Sequence, residues 1–399
     1  MVRVAYGMHS AASDVVDQCR RQLEDVEPHL LLAFCGGKHN PVDMLAALRA
    51  AFGERVPIAG GSAAGAIARS RLGYSGLELG LAAFVDPATA PVVAAAGDMD
   101  LGEVESGRIL GRRIAELAED GAVVIFFYDS VRAVAPLRLH PASLLVEGLH
   151  QGLGERKVRL IGGGTLTDMN LSDGWIFDGR GLAKHAAVAL VFPPTVTDQT
   201  AILHGCRPVS SFMEVTRIDG ADLYELDGEP ALPVIERRLR MSLADANMAQ
   251  LSLIATLGEK QGDPFTPYNE SDYVNRLILR TDGSTGSITL FEPDFRPGTR
   301  VQIMSRDNAL MLASVRDGIA DLNTRLAGGQ SMLGLYIDCA GRASARSGAD
   351  IEEAELVQTG LDPTVPLLGF YSGVEVAPFG GYSRSLDWTG VMTVLQRSV

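Results

Sequence analysis

Arg342 and Glu375 stand just after two apolar runs near the carboxyl end of the chain, Leu333 to Ile337 and Val365 to Gly369. If those runs are neighbouring strands, the two side chains can meet. They then form a structural ion pair, or one of them is left to grip the charged group of a ligand. Cys339 follows the first of these runs, as Cys35 and Tyr128-Asp129 follow two similar ones. A thiol at a turn into a helix start has a lowered pKa and would be a nucleophile if a base stood near it; otherwise it is a small buried hydrophobe. Gly60 to Gly65 and Gly162 to Gly164 can offer backbone N–H groups to an anion, or simply permit tight turns. Neither spells G-x-G-x-x-G or a P-loop, which argues against a nucleotide site. The histidines His9, His29, His39, His140, His150, His185 and His204 are scattered without H-x-x-x-H spacing, weak support for a multi-histidine metal centre.

The elements that must hold these residues repeat. Val56 to Gly60, Val158 to Gly162 and Val365 to Gly369 each end in a small-residue turn, and ahead of each lies a second apolar run, Leu30 to Phe34, Val123 to Tyr128 or Leu333 to Ile337. Continuous apolar runs predict strands buried on both faces. Between the runs, Asn40-Pro41 and Pro141 open helices that Gly53 and Gly154 close. Three such modules place their Gly-rich turns at the strand ends where ligands usually bind. Leu77 to Val85 with Val92 to Ala96, and Trp175 to Phe177 with Ala186 to Phe192, read as antiparallel pairs, the second turned by Asp178-Gly179. Pro193-Pro194 suggests a boundary near residue 200, dividing the chain into 1–200 and 201–399. Beyond it, strands are predicted at Ala201 to His204, Met213 to Ile218, Leu223 to Leu226, Tyr273 to Leu279, Ser287 to Leu290 and Thr299 to Met304, with a helix over Ala309 to Leu326. Pro230 to Leu239 and Leu251 to Leu257 read as a fourth, degenerate copy. The expected fold class is mixed α/β, two domains of repeated βαβ modules with added antiparallel strands.

Composition narrows the function. With 46% hydrophobic and 21% charged residues, the chain is an ordinary globular protein. A formal charge of −14 without any basic run argues against nucleic acid. No stretch approaches the ~18 apolar residues of a membrane span, and the amino terminus lacks a signal-peptide core, so a cytoplasmic location is expected. Cys19, Cys35, Cys206 and Cys339 form neither a zinc pattern nor a disulfide framework.

Gly60-Gly61-Ser62-Ala63-Ala64-Gly65, Ile161-Gly162-Gly163-Gly164, His204-Gly205-Cys206-Arg207-Pro208, Leu223-Tyr224-Glu225-Leu226-Asp227-Gly228, Cys339-Ala340-Gly341-Arg342 and Gly369 to Pro378 together resemble the FIST sensory-domain family, in its N-terminal and C-terminal halves. The likeness runs over roughly residues 25–385. It implies a sensor of small ligands, suspected to be amino acids, in signal transduction. No kinase, cyclase or chemotaxis region accompanies it here, so a separate output protein is the expected partner. An amino acid needs a cation for its carboxylate and an anion for its ammonium, a need that Arg342 with Asp338 or Glu375 would meet. The expected lining is His204, Arg342, Tyr371, Ser372 and Glu375, with Cys339 beside it and no catalytic residue or metal. Two alternatives stand. Some relatives resemble nitric-oxide-sensing haem proteins; one histidine suffices for haem, and His140 and His204 are the first to test. The other is an enzyme with Cys339 as nucleophile.

Overall fold

Three six-stranded sheets of one plan make up most of the molecule. Residues 2–24, 26–243, 246, 250–251, 254–326 and 328–398 are described by this computed structural model. In each sheet a buried apolar strand runs parallel to the strand that follows it after a helix. These pairs are Leu30–Gly36 with Ile58–Ala63, Ala122–Asp129 with Val158–Thr165, and Gln330–Cys339 with Leu367–Ser372. On its other side the central strand pairs antiparallel with Glu78–Phe84, Ala187–Val191 or Gly390–Arg397. Outermost lies the strand that opens the module, Val2–Met8, Val92–Ala96 or Val196–Leu203. The threefold repetition of the sequence is thus the organisation of the fold.

The modules also exchange parts. After its parallel strand, each sends a hairpin into another module's sheet. Ala66–Ala68 and Arg71–Gly73 join the third sheet, Ile176–Asp178 and Leu182–Ala183 the first, and Glu375–Phe379 and Tyr382–Leu386 the second. The cycle closes, so no sheet is complete without a neighbour. Two expected pairings are corrected by it. Glu78–Phe84 and Val92–Ala96 do not pair, because Asp86-Pro87 links two modules. The Asp178 turn does form, with Asp178 Oδ1 accepting from the backbone N–H groups of Arg180 and Gly181. It closes on Leu182–Ala183, however, while Ala187–Val191 lies on its own module's central strand. Period-two alternation says which residues face a core, not which sheet claims the strand.

The three inner faces share one core. Phe34, Phe127 and Phe370, one from each module, lie with ring centroids 4.1, 5.2 and 5.7 Å apart. They are surrounded by Leu32, Ile125, Ile161, Ile337 and Leu368. Helix pairs cover the outer faces: Ala12–Gln22 with Pro41–Phe52, Glu103–Leu117 with Ala142–Leu153, and Asn308–Arg325 with Glu353–Gly360. Asn40 caps its helix as expected, accepting from Val42 and Asp43 N–H. The second pair meets backbone to backbone: a Cβ at Gly107, Gly111, Gly148 or Gly152 would stand 2.0–2.3 Å from a carbonyl oxygen of the facing helix.

The third module starts at Val196, directly after Pro193-Pro194. Between its first strand and first helix it carries an insertion, Arg207–Ser305, folded as an eight-stranded antiparallel sheet with the helix Ala231–Leu239 and a core of its own. The expected fourth copy is not found among the described residues, although its helix forms over Ala231–Leu239. Ala255–Lys260 lies antiparallel between Tyr273–Asp282 and Arg300–Ser305, with no parallel partner; residues 252 and 253 of that reading lie outside the described residues.

Candidate ligand-binding site

The carboxyl edge of the third sheet gathers His204, Cys339, Arg342, Tyr371, Ser372 and Glu375, and divides them between two faces. Register pairs Asp338 with Tyr371 and Cys339 with Ser372. Side chains alternate along a strand, so Tyr336 and Asp338 face the helices while Ile337 and Cys339 turn inward. On the helix side Arg342, wholly buried, spends its donors on protein. Nε and Nη2 hold both oxygens of Glu353 at 3.1 and 2.7 Å, and Nη1 donates to the carbonyls of His204 and Trp388 at 3.1 and 3.0 Å. Glu353 also accepts from the Tyr336 hydroxyl, and Tyr371 Oη donates to Glu352 at 2.9 Å. Asp338 lies 3.7 Å from Arg342 Nε, but its carboxylate has no hydrogen bond among the described residues. Burial, then the neighbouring Glu353 charge, pushes Asp338 well above the usual carboxylate range.

Arg342 and Glu375 therefore do not pair. Glu353, at the start of its helix, takes the guanidinium. Glu375 faces the other way, accepting from Ser372 Oγ and, at 3.3 Å, from Thr389 N–H. Burial raises its pKa well above the ordinary value and outweighs the Ser372 bond. Cys339 is no poised nucleophile: burial, and after it the Glu375 charge, pushes its thiol well up. His204 lies at the same edge and is held through its backbone, where Glu270 Oε1 accepts from the His204 and Gly205 N–H groups.

Arg306, which type and spacing did not single out, is the exception in this buried framework. It lies between the strand Arg300–Ser305 and the helix that Asp307 caps. Its guanidinium carbon stands 2.9 Å from the centre of the Trp388 ring. Nε and Nη1 are buried without a hydrogen-bond partner, and no carboxylate makes an ion pair with it among the described residues. Burial pulls its pKa down to about 9, so it remains a cation at neutral pH. Arg306, Asp307, Asn308, Met311, Ser347 and Trp388 line a cleft of about 380 Å³. Trp388 is itself held in a left-handed conformation, φ +55°, with its carbonyl fixed by Arg342. The sequence signal for Arg306 was its place, a lone cation in the turn between a predicted strand and a predicted helix.

His204 and His140, the two histidines first in line for haem, do not fit it. His204 Nδ1 accepts from Cys206 N–H at 2.9 Å and Nε2 faces the Glu270 carbonyl at 2.9 Å. His140 Nδ1 faces Glu103 Oε1 at 2.8 Å and Nε2 faces His185 Nδ1 at 3.0 Å, so neither ring has an open nitrogen with room for a macrocycle. Tyr268 Oη donates to the Cys206 carbonyl, and its ring carries the Arg207 guanidinium.

The FIST N domain matches residues 29–229 and the FIST C domain residues 231–378. The chain belongs to the FIST family. FIST domains are associated with sensory signal transduction. The two domains meet at residue 230, inside the insertion of the third module. An uncharacterised Mycobacterium tuberculosis (strain H37Rv) protein is 26% identical over 396 residues, 98% of each chain, and an uncharacterised Mycobacterium bovis protein 26% identical over 64% of each. Among solved structures, a chorismatase aligns with TM-score 0.37 at 9% identity, covering 99% of this chain and 98% of its own. A cyanuric acid hydrolase from A. caulinodans aligns with TM-score 0.36 at 8% identity over the whole of both chains. Neither likeness is strong enough to bear on function. No described helix of this FIST protein is long and apolar enough to cross a membrane.

Proposed function

We propose that this FIST protein is a sensor of a small carboxylate-bearing metabolite, an amino acid being the type that fits best, and that it signals through a separate partner. The observation that carries this is Arg306: a half-buried arginine at a cleft whose Nε and Nη1 are buried and without a hydrogen-bond partner. A desolvated cation without a counter-ion is costly, and a ligand carboxylate would satisfy it with charge-assisted bonds. Asp307 on the same lip offers a counter-charge for an ammonium. In this reading Arg342 is a positioning residue. It fixes the Trp388 and His204 carbonyls, while Tyr371, Ser372, Glu375 and Cys339 form the frame beneath. Ligand binding would signal by shifting the short helix Ser344–Ser347, whose Ser347 lines this cleft and whose Ser344 lines another of about 620 Å³ together with Tyr74 and Glu352.

The test is calorimetric titration of the amino acids and simple carboxylates into wild type and Arg306→Met. Loss of one charge-assisted contact is worth roughly 1.5–3 kcal/mol, so binding should weaken ten- to hundredfold. Equal affinity in the variant would place the site elsewhere.

A further inference from the structure

We propose that Asp100, His140 and His185, on the second module and away from the Arg306 cleft, form a binding site for a divalent transition-metal ion of the zinc class. Their ligand atoms all lie within 4.8 Å of one another. His140 Nε2 and His185 Nδ1 face each other 3.0 Å apart. Two imidazole nitrogens bound to one tetrahedral zinc ion at ~2.0–2.1 Å stand about 3.3 Å apart, so a shift of a few tenths of an ångström admits the ion.

The surroundings are those of a metal-bound histidine. His140 is buried, and its other nitrogen, Nδ1, faces Glu103 Oε1 at 2.8 Å. A ring that donates Nδ1–H to that carboxylate can turn its Nε2 lone pair toward His185, the orientation a metal requires. The 3.0 Å contact is a hydrogen bond when one of the two nitrogens carries a proton, and a metal ion can take that proton's place. Asp100 is exposed, half-buried His185 borders solvent, and a fourth position is left for water. Arg132 competes only weakly, 3.9 Å from Asp100 and 3.6 Å from Glu103.

The backbone is strained to make this arrangement. His185 has φ +48°, a conformation that side chains other than glycine rarely adopt. Two hydrogen bonds hold it there. Its N–H donates to Asp129 Oδ2 at 2.9 Å, and its carbonyl accepts from Met99 N–H at 2.7 Å, which also brings the Asp100 turn alongside. His185 and Trp388 occupy the same place in the second and third modules, two residues ahead of Ala187 and Gly390, which pair with Tyr128 and Asp338. Strained residues can persist where function uses them; His185 stands at this cluster as Trp388 stands at the Arg306 cleft.

Chelator-stripped full-length protein is titrated with Co²⁺ and then Zn²⁺, following cobalt d–d absorption and metal per chain after dialysis. One four-coordinate Co²⁺ per chain, displaced by Zn²⁺, is expected. His185→Gly relieves the left-handed strain and should fold at least as well while losing at least a hundredfold in affinity. Glu103→Gln should lose ten- to hundredfold. A folded wild type that binds neither ion at micromolar concentration overturns the proposal, and so does unchanged affinity in His185→Gly.

Discussion

Replacing Arg306 with methionine should make the unliganded protein more stable. Burial has moved the guanidinium from its ordinary pKa down to about 9. A displacement of more than three pH units corresponds to roughly 4–5 kcal/mol at ~1.36 kcal/mol per unit. That is an upper bound on what the lone cation costs the fold at neutral pH. The side chain is partly exposed, which screens the charge, and stacking on Trp388 returns about 0.5–2 kcal/mol. A net gain of roughly 1–3 kcal/mol is left for Arg306→Met. The sign follows from linkage. A base with a depressed folded pKa binds fewer protons when folded, so the penalty is complete below about pH 9 and fades only as pH rises through it. Urea unfolding at pH 7 of both proteins, without ligand, measures the difference. A gain in stability together with lost ligand affinity is the exchange expected of a binding residue. If Arg306→Met is instead destabilised by a kilocalorie or more, the guanidinium is a satisfied structural group and the site assignment fails.

Two further outcomes follow from the buried charges. Arg342→Ala leaves Glu353 unpaired and two carbonyls unsatisfied, and should cost about 3–5 kcal/mol in urea unfolding. The double variant Arg342→Met, Glu353→Leu should recover most of it; a loss below 1 kcal/mol in Arg342→Ala would show that the pair does not hold this edge. Glu292 accepts from Ala142 and Ser143 N–H, yet burial and then the Asp387 charge push its carboxyl up to about 8. It holds a proton in the fold that it releases near pH ~4.3 when unfolded. Its contribution is therefore complete at acid pH and is lost as pH rises through about 8. The stability of wild type relative to Glu292→Gln should fall between pH 5 and 8; a difference independent of pH refutes it.

Much of the architecture was legible along the chain, because its signals are local. Continuous apolar runs at Leu30–Phe34, Val123–Tyr128 and Leu333–Ile337 mark strands covered on both faces, and those are the three central strands. The Asn40-Pro41 helix start depends on groups within three residues of one another. The parallel register of the third module could be inferred from the spacing of its apolar runs, and with it the gathering of Cys339, Arg342, Tyr371, Ser372 and Glu375 at one edge.

What distance along the chain conceals was decided only by the tertiary structure. The hairpin exchange hides because Ala66–Ala68 finds its partner, Leu368–Phe370, three hundred residues on, and alternation carries no address for a partner strand. Arg342 chose Glu353 over Glu375 because the first turn of a helix faces it, while the pleat turns Glu375 to the opposite face. His140 and His185 are 45 residues apart and meet at 3.0 Å, a pairing that no local spacing could reveal. Arg306 looks like any arginine at the end of a strand. Its isolation follows from desolvation, which depends on every atom around the side chain and so exists only once the chain has folded.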